Sequence, residues 1–296
     1  MDEREFLADR FEEHRGRLKA VAYRMLGSLS EAEDAVQEAW IRLSRTDTGE
    51  VENLGGWLTT VVGRVSLDML RSRKSRREYP LDGHLPDPIV SPVDRSDPEH
   101  EALTADSLGL ALLVVLETLT PAERLAFVLH DMFGMSFEEI APIVGRTPVA
   151  ARKLASRARQ RVRGTAPTPD ADLSRQREVV DAFLAASRSA DFEALLTVLD
   201  PDVVLRADTG ALAGIGVTMR RGARAVAENA LAFQRLARSR TTVPALVNGA
   251  AGLVSLEDGQ PEAVLAFTIV GGRIVEIDIL SDPDRLRALD LAVPGA

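Results

Sequence analysis

The sequence predicts a multidomain protein, with two all-α units in series followed by an α+β domain. Three observations carry this. Apolar residues recur at helical spacing through most of the first 163 positions, interrupted by one stretch rich in proline and acid. Capping signatures of the form Ser/Thr-x-x-Glu open three helices in that half. Strand-like runs dominate from residue 242 onward, the last two joined by the hairpin signal VGGR at 270–273. At 296 residues, 45% of them hydrophobic, the chain is long enough for several separate cores.

The helices follow in order. Phe6, Leu7, Phe11, Leu18, Val21, Ala22 and Met25 give 4–27 one apolar stripe, closed by Gly27. Ser30 with Glu33 reads as a capping box that opens a second helix to about Leu43. SRTDTGEVEN (44–53) is polar and turn-like. A third helix runs from about Leu54 to Glu78, with Trp57, Leu58, Val61, Val62, Val65 and Leu70 on its apolar side. Residues 79–101 hold five prolines and six acids and read as a linker. In the second unit, Thr120–Glu123 and Ser136–Glu139 form two more capping boxes, the first with Pro121 at the opening helical position. SFEEIAPIV is then a short helix, GRT a tight turn, and PVAARKLASRARQRVR a longer helix with Thr147 as N-cap. Short helix, glycine turn and basic helix together make a helix-turn-helix pattern.

GTAPTPDAD (164–172) is a second linker. Beyond it the α+β domain reads as helices at about 173–189, 191–199 and 222–238. A strand lies near Val203–Ala207, and others at 242–248, 251–257, 263–270 and 273–280, with a glycine-rich loop before the third helix.

Charge narrows the function. The chain carries 36 basic and 45 acidic residues, net −9. Yet 147–163 holds Arg152, Lys153, Arg157, Arg159, Arg161 and Arg163 with no acid, and 64–77 holds six cations against Asp68 alone. Screening over about 8–10 Å makes such local patches count for more than the net charge. A solvated helix face normally mixes signs to relieve repulsion, so a sign-pure basic helix within a helix-turn-helix points to nucleic acid. The longest apolar run, LGLALLVVL at 108–116, is far short of the roughly 20 residues of a membrane span. The absence of cysteine excludes disulfides and thiolate metal sites and suits a cytoplasmic protein. No cofactor, metal or membrane partner is expected.

GSLSEAEDAVQEAWIRL (27–43) and GGWLTTVVGRVSLDMLRSRKSRRE (55–78) resemble region 2 of bacterial sigma factors of the extracytoplasmic-function group. LTPAERLAFVLHDMFGMSFEEIAPIVGRTPVAARKLASRARQRVR (119–163) resembles region 4 of the same group. The C-terminal part resembles a SnoaL-like domain, a cystatin-like cone, and sigma factors with this fused extension form a recognised subgroup. The resemblance implies region 2 at 1–78, an acidic linker at 79–102, region 4 at 103–164 and a regulatory domain at 172–296.

It also implies roles for residues. The helix with Glu33, Asp34, Gln37, Glu38 and Arg42 would dock on the β′ clamp of core RNA polymerase, and region 4 on the β flap. Asn53, Arg64, Arg71, Arg73, Lys74, Arg76 and Arg77 would serve the −10 element, where strand opening needs cations beside unstacked bases. Trp57 could stack on such a base, but its place in an apolar stripe favours the core, as does that of Trp40. Thr147, Val149, Ala150, Arg152, Lys153 and Arg157 would meet the −35 element, and Arg159, Arg161 and Arg163 phosphate or water.

Three motifs mark the subgroup. HLPDP (84–88) resembles its WLPEP linker motif, with His84 in place of tryptophan and Leu85, Pro86, Asp87 and Pro88 following. DPDRL (Asp282, Pro283, Asp284, Arg285, Leu286) resembles NPDKL, and also reads as a helix start with an Asp cap and a proline at the first position. DTGAL, opened by Asp208, is a weak counterpart of DGGGK. The subgroup implies that the C-terminal domain contacts the sigma domains and linker and controls activity in place of a separate anti-sigma protein.

Two other readings compete. A conventional helix-turn-helix regulator leaves 27–78 unexplained. An enzyme or ligand sensor on a DNA tether would need acid–base groups, but His14, His84, His100 and His130 all precede the C-terminal domain, leaving carboxylates such as Asp191, Asp208 or Asp278. The protein is therefore expected not to be an enzyme.

Overall fold

The computed structural model describes residues 3–46, 53–76, 84–93, 109–210, 217–236, 240–289 and 291. These fall into two compact units, with the division passing through helix α4 (Leu110–Glu117).

The first unit is helical. It begins with α1 (Glu3–Leu26), α2 (Leu29–Leu43) and α3 (Leu54–Arg76). Leu18, Val21 and Met25 of α1, Ala35 and Leu43 of α2, and Leu58 and Val62 of α3 are buried together. After α4 come α5 (Pro121–Phe127), a π-helical turn (Val128–Met132), α6 (Phe137–Val144) and α7 (Pro148–Thr165). Both capping boxes, Thr120–Glu123 and Ser136–Glu139, form with each partner's bonds in place. The one expected at Ser30–Glu33 does not. The helix starts at Leu29 after Ser28, so Ser30 already lies in the first turn, and Glu33 is drawn instead to Arg15 and Lys19 of α1.

The helix-turn-helix turn is made by Gly145, whose φ of 68° is the left-handed cap that ends α6. Ala151, Ala155 and Ala158 are fully buried where α7 packs on α5. Small side chains on that stripe let the helices approach closely. α3 packs on α5 and α6, where Gly63 faces Leu125 and Leu129 at 3.4 Å from where its Cβ would stand. Arg124 is buried there and its Nε donates to the carbonyl of Arg24 at 3.0 Å. Burial lowers its guanidinium pKa to about 10.

The second unit is α+β. Helices α8 (Leu173–Ser189), α9 (Phe192–Val198) and α10 (Ala223–Leu236) pack their apolar sides on one sheet face, burying Phe183, Leu195, Val226, Phe267 and Ile277. The strands are β1 (Val90–Ser91), β2 (Leu199–Asp208), β3 (Val217–Arg221), β4 (Thr241–Val247), β5 (Ala250–Glu257), β6 (Gln260–Val270) and β7 (Arg273–Leu280). Their order is β1-β4-β5-β6-β7-β2-β3, with β2 and β7 parallel and every other pair antiparallel. A last short helix, α11, spans Pro283–Ala288. The VGGR turn forms as expected, both glycines at positive φ, and Asp170 accepts from both of their amides at 2.9 Å.

Two strands depart from the sequence reading. β3 occupies the end of what reads as a glycine-rich loop. β1 comes from the proline-rich linker, where Val90 and Ser91 pair with Val247 and Leu246 at the sheet edge. A proline-rich stretch can do this because an edge strand needs hydrogen bonds on one side only.

Candidate nucleic-acid interface and linker clasp

The basic helix α7 is opened by Thr147, whose Oγ1 accepts from Ala150 N–H at 3.3 Å. Val149 in its first turn is 63% exposed, an apolar side chain held in water. Lys153 is exposed and faces no carboxylate among the described residues; Arg152 lies over the Phe137 ring, 5.2 Å from its centroid. Three of the four later arginines are engaged; Arg163 is exposed with no acid beside it among the described residues. Arg161 reaches Glu123 at 3.1 Å and Arg157 reaches it at 3.7 Å, while Arg159 bonds Asp131 at 2.8 Å. A run without an acid in sequence is thus partly neutralised from α5 and the π-helical turn.

The second basic patch, on α3, also divides. Arg64 is exposed with no acid beside it among the described residues. Arg71 pairs with Asp68 at 3.5 Å. Arg73 turns inward, donating to Glu31 and, at 3.1 Å, to the carbonyl of Leu26, so it ties α3 to the α1–α2 junction. Two internal acceptors thus hold the guanidinium that the resemblance assigns to the −10 element. The side chains of Lys74 and Arg76, and the whole of Arg77, lie outside the described residues. Asn53 is exposed and its Oδ1 caps α3 by accepting from Gly56 N–H at 2.9 Å. Trp57 and Trp40 are both half-buried rather than sealed in the core, and Trp40 packs against Phe11.

On α2, Asp34 and Gln37 are exposed, and Glu38 pairs with Arg42 at 2.8 Å. Burial alone would raise the Glu33 carboxyl, but the hydrogen bond and charge of Arg15, with Lys19, bring it below its usual range.

In the second unit the three short motifs converge. Arg285 donates through Nη1 to Asp208 at 2.7 Å, through Nε to Asp87 at 3.1 Å, and through Nη2 to the carbonyl of Leu85 at 2.7 Å. Asp208, fully buried, also accepts from Leu85 N–H at 2.9 Å, and His84 Nδ1 stands 3.5 Å away. Arg285 is presented by α11, where Asp282 caps the helix by accepting from Asp284 and Arg285 N–H, with Pro283 at the first position. Gly210 of DTGAL packs so close that a Cβ there would stand 2.3 Å from Asp282 Oδ2. Leu85, Pro86, Asp87, Pro88 and Leu286 are all buried. Asp208 and Gly210 of the weak motif therefore sit at the centre of the clasp.

Sequence reasoning missed Asn248, Asp131, Phe137 and the reach of Glu123 to α7. Asn248 exchanges backbone and side-chain bonds with Ile89, its N–H donating to the Ile89 carbonyl at 2.8 Å and its Oδ1 accepting from Ile89 N–H at 3.2 Å. The Asn248-Gly249 pair between two strands was a readable hairpin signal. The other three carry no local signal of their contacts.

The three candidate carboxylates of the domain are all engaged. Asp191 caps α9 through Ala194 N–H at 2.9 Å, and Asp208 sits in the clasp. Asp278 bonds Arg206 Nη1 at 2.8 Å while Glu276 bonds its Nη2 at 2.8 Å. Burial pushes the Asp278 carboxyl up to about 6, outweighing the attraction of Arg206, and Glu276 adds repulsion.

Comparison with known proteins agrees with this geometry. Residues 10–76 match the family model for Sigma-70 region 2, and 109–162 that for Sigma-70, region 4. The chain is 37% identical over 286 residues to the ECF RNA polymerase sigma factor SigJ of Mycobacterium tuberculosis, covering 93% of this chain and 91% of the relative. It is 36% identical over 286 residues to the probable ECF sigma factor SigI of that species, covering 95% of each. The crystal structure of the M. tuberculosis SigJ protein superposes with a TM-score of 0.78 at 33% identity, over 96% of this chain and 99% of that one. With region 2 helices, a region 4 helix-turn-helix and a C-terminal α+β domain, the chain belongs to the extracytoplasmic-function RNA polymerase sigma factors, which recognise promoters and start transcription.

Proposed function

We propose that this sigma factor reads its promoter with the first two turns of α7 and with the exposed end of α3, and that its own C-terminal domain controls it through the linker clasp. The observation that carries the regulatory part is Arg285, which joins the linker residues Leu85 and Asp87 to Asp208 of the sheet. Val149, Arg152 and Lys153 suit base edges and nearby phosphates at the −35 element, with Thr147 and Ala150 in the same turn. Arg64 and Asn53 suit the −10 strand. Asp34, Gln37, Glu38 and Arg42 present a polar face for the β′ clamp, and region 4 docks on the β flap. The protein acts in the cytoplasm with core RNA polymerase. The C-terminal domain acts by holding rather than by catalysis: Asp191, Asp208 and Asp278 each already serve a structural bond.

The packing of α3 on α5 and α6 adds a condition. The −10 and −35 elements are about 25 base pairs apart by name, roughly 85 Å along a duplex that rises about 3.4 Å per pair. Helices in van der Waals contact cannot reach both, so the first unit opens when both are bound.

Run-off transcription with core RNA polymerase tests the regulatory reading. Arg285→Ala, which loosens the linker, raises initiation over the wild-type chain. Unchanged initiation, despite loosening of the linker, would show that the clasp is not a control.

A further inference from the structure

Glu123 serves two purposes with one carboxylate. It closes the capping box of α5, accepting from Thr120 N–H at 3.2 Å and Oγ1 at 2.8 Å. It also receives Arg157 and Arg161 from α7. Its side chain is 5% exposed, whereas those of Arg157 and Arg161 are 62% and 52% exposed. A buried acid therefore holds two surface cations of the recognition helix. These contacts, with that of Arg159 to Asp131, engage three of the six cations of 147–163, while Arg163 at the far end is exposed with no acid beside it among the described residues. Arg157, Arg159 and Arg161 lean on acids of the protein, while Arg152 and Lys153, nearer the N-terminus, do not.

We propose that Glu123 is a specificity-determining residue: it tethers Arg157 and Arg161 to the protein, withholds them from the phosphate backbone, and confines duplex recognition to the first two turns of α7. This rests on the reading of α7 as the duplex-binding helix. Each cation free to neutralise a phosphate adds affinity for any duplex, whatever its sequence. Specificity is the ratio of cognate to unrelated binding, and it falls as that indifferent attraction grows. A helix with all its cations free would bind widely and discriminate poorly. One carboxylate at the cap of α5 cancels a charge and fixes the position of two guanidinium groups.

Glu123→Gln separates the two purposes, because glutamine also serves at the third position of a capping box while carrying no charge. The experiment uses holoenzyme assembled from the full-length chain and core RNA polymerase. Its probes are a duplex that the wild-type holoenzyme selects from a randomised pool, and an unrelated duplex of equal length. Affinity is followed against salt concentration. For E123Q the salt slope steepens by about 0.9 for each released arginine, on both duplexes. The preference for the selected duplex drops. Arg161→Ala in the otherwise wild-type chain leaves the slope unchanged.

The proposal is overturned if R161A alone flattens the slope by about 0.9, since Arg161 would then already hold a phosphate. It is equally overturned if E123Q leaves slope and preference as they were. Arg152→Ala and Lys153→Ala test the reading beneath it. If neither weakens binding to the selected duplex, both that reading and this inference fall. If they do weaken it and Glu123 or Arg161 behaves otherwise, this inference alone falls.

Discussion

Arginine and carboxylate meet in both units, but in opposite ratios. In the linker clasp one arginine, Arg285, serves two acids, Asp87 and Asp208. At α7 one acid, Glu123, serves two arginines, Arg157 and Arg161. The clasp adds the backbone of Leu85 as donor and acceptor, leaving its fully buried aspartate with bonds on both oxygens. The α7 group leaves its cations in water. The difference separates a joint from a reserve: the first is closed by internal partners, and the second keeps a net positive charge on a surface made to meet an anion.

The largest effect should come from opening the joint. Removing one partner of a buried ion pair strands the other, at a cost of about 3–5 kcal/mol. Arg285→Ala should cost the second unit that much in chemical denaturation, and hydrogen exchange at the Leu85 and Ile89 amides should quicken.

A third group sharpens the contrast through pH. Arg206 with Glu276 and Asp278 repeats the one-to-two ratio inside the sheet. Because the folded Asp278 carboxyl is raised to about 6 from an ordinary 3.8, the folded state takes up its proton first. Its contribution is therefore fully favourable below about pH 4 and is lost as pH rises to about 6. Melting temperatures of wild type and Asp278→Asn should differ in slope across that window, and Asn should remove the decline. The two slopes should agree above it.

The smallest effect should come from the reserve. Arg161 is half exposed, and without it Glu123 keeps its bonds from Thr120 and the charge of Arg157, so Arg161→Ala should move the denaturation midpoint little, by about 0–1 kcal/mol. A loss as large as that of R285A would erase the distinction drawn between joint and reserve.

What was legible in the sequence follows the distance over which each feature is encoded. The caps at Thr120, Ser136, Thr147 and Asp282 are local, three residues or fewer from donor to acceptor, and each was readable. Ser30 and Glu33 have the same spacing, yet Glu33 answers to Arg15, 18 residues away, and no local pattern reveals that. The partners of Arg285 lie 77 to 200 residues off in sequence. Only the resemblance of the short motifs marked Leu85, Asp208 and Arg285 as belonging together. The cations of α7 could be counted, but their acids sit on other helices, so the division into engaged and available residues needed the fold. β1 was hidden for a different reason: proline-rich, acidic sequence has the composition of a linker, and an edge strand of two residues asks little of side-chain pattern.

That strand has a mechanical consequence. The linker is fastened by a cluster of short polar bonds at Leu85 and Asp87, by the two bonds between Ile89 and Asn248, and by a two-residue ladder at Val90 and Ser91. Releasing the linker therefore means giving up all of these bonds, and not the ion pairs of Arg285 alone.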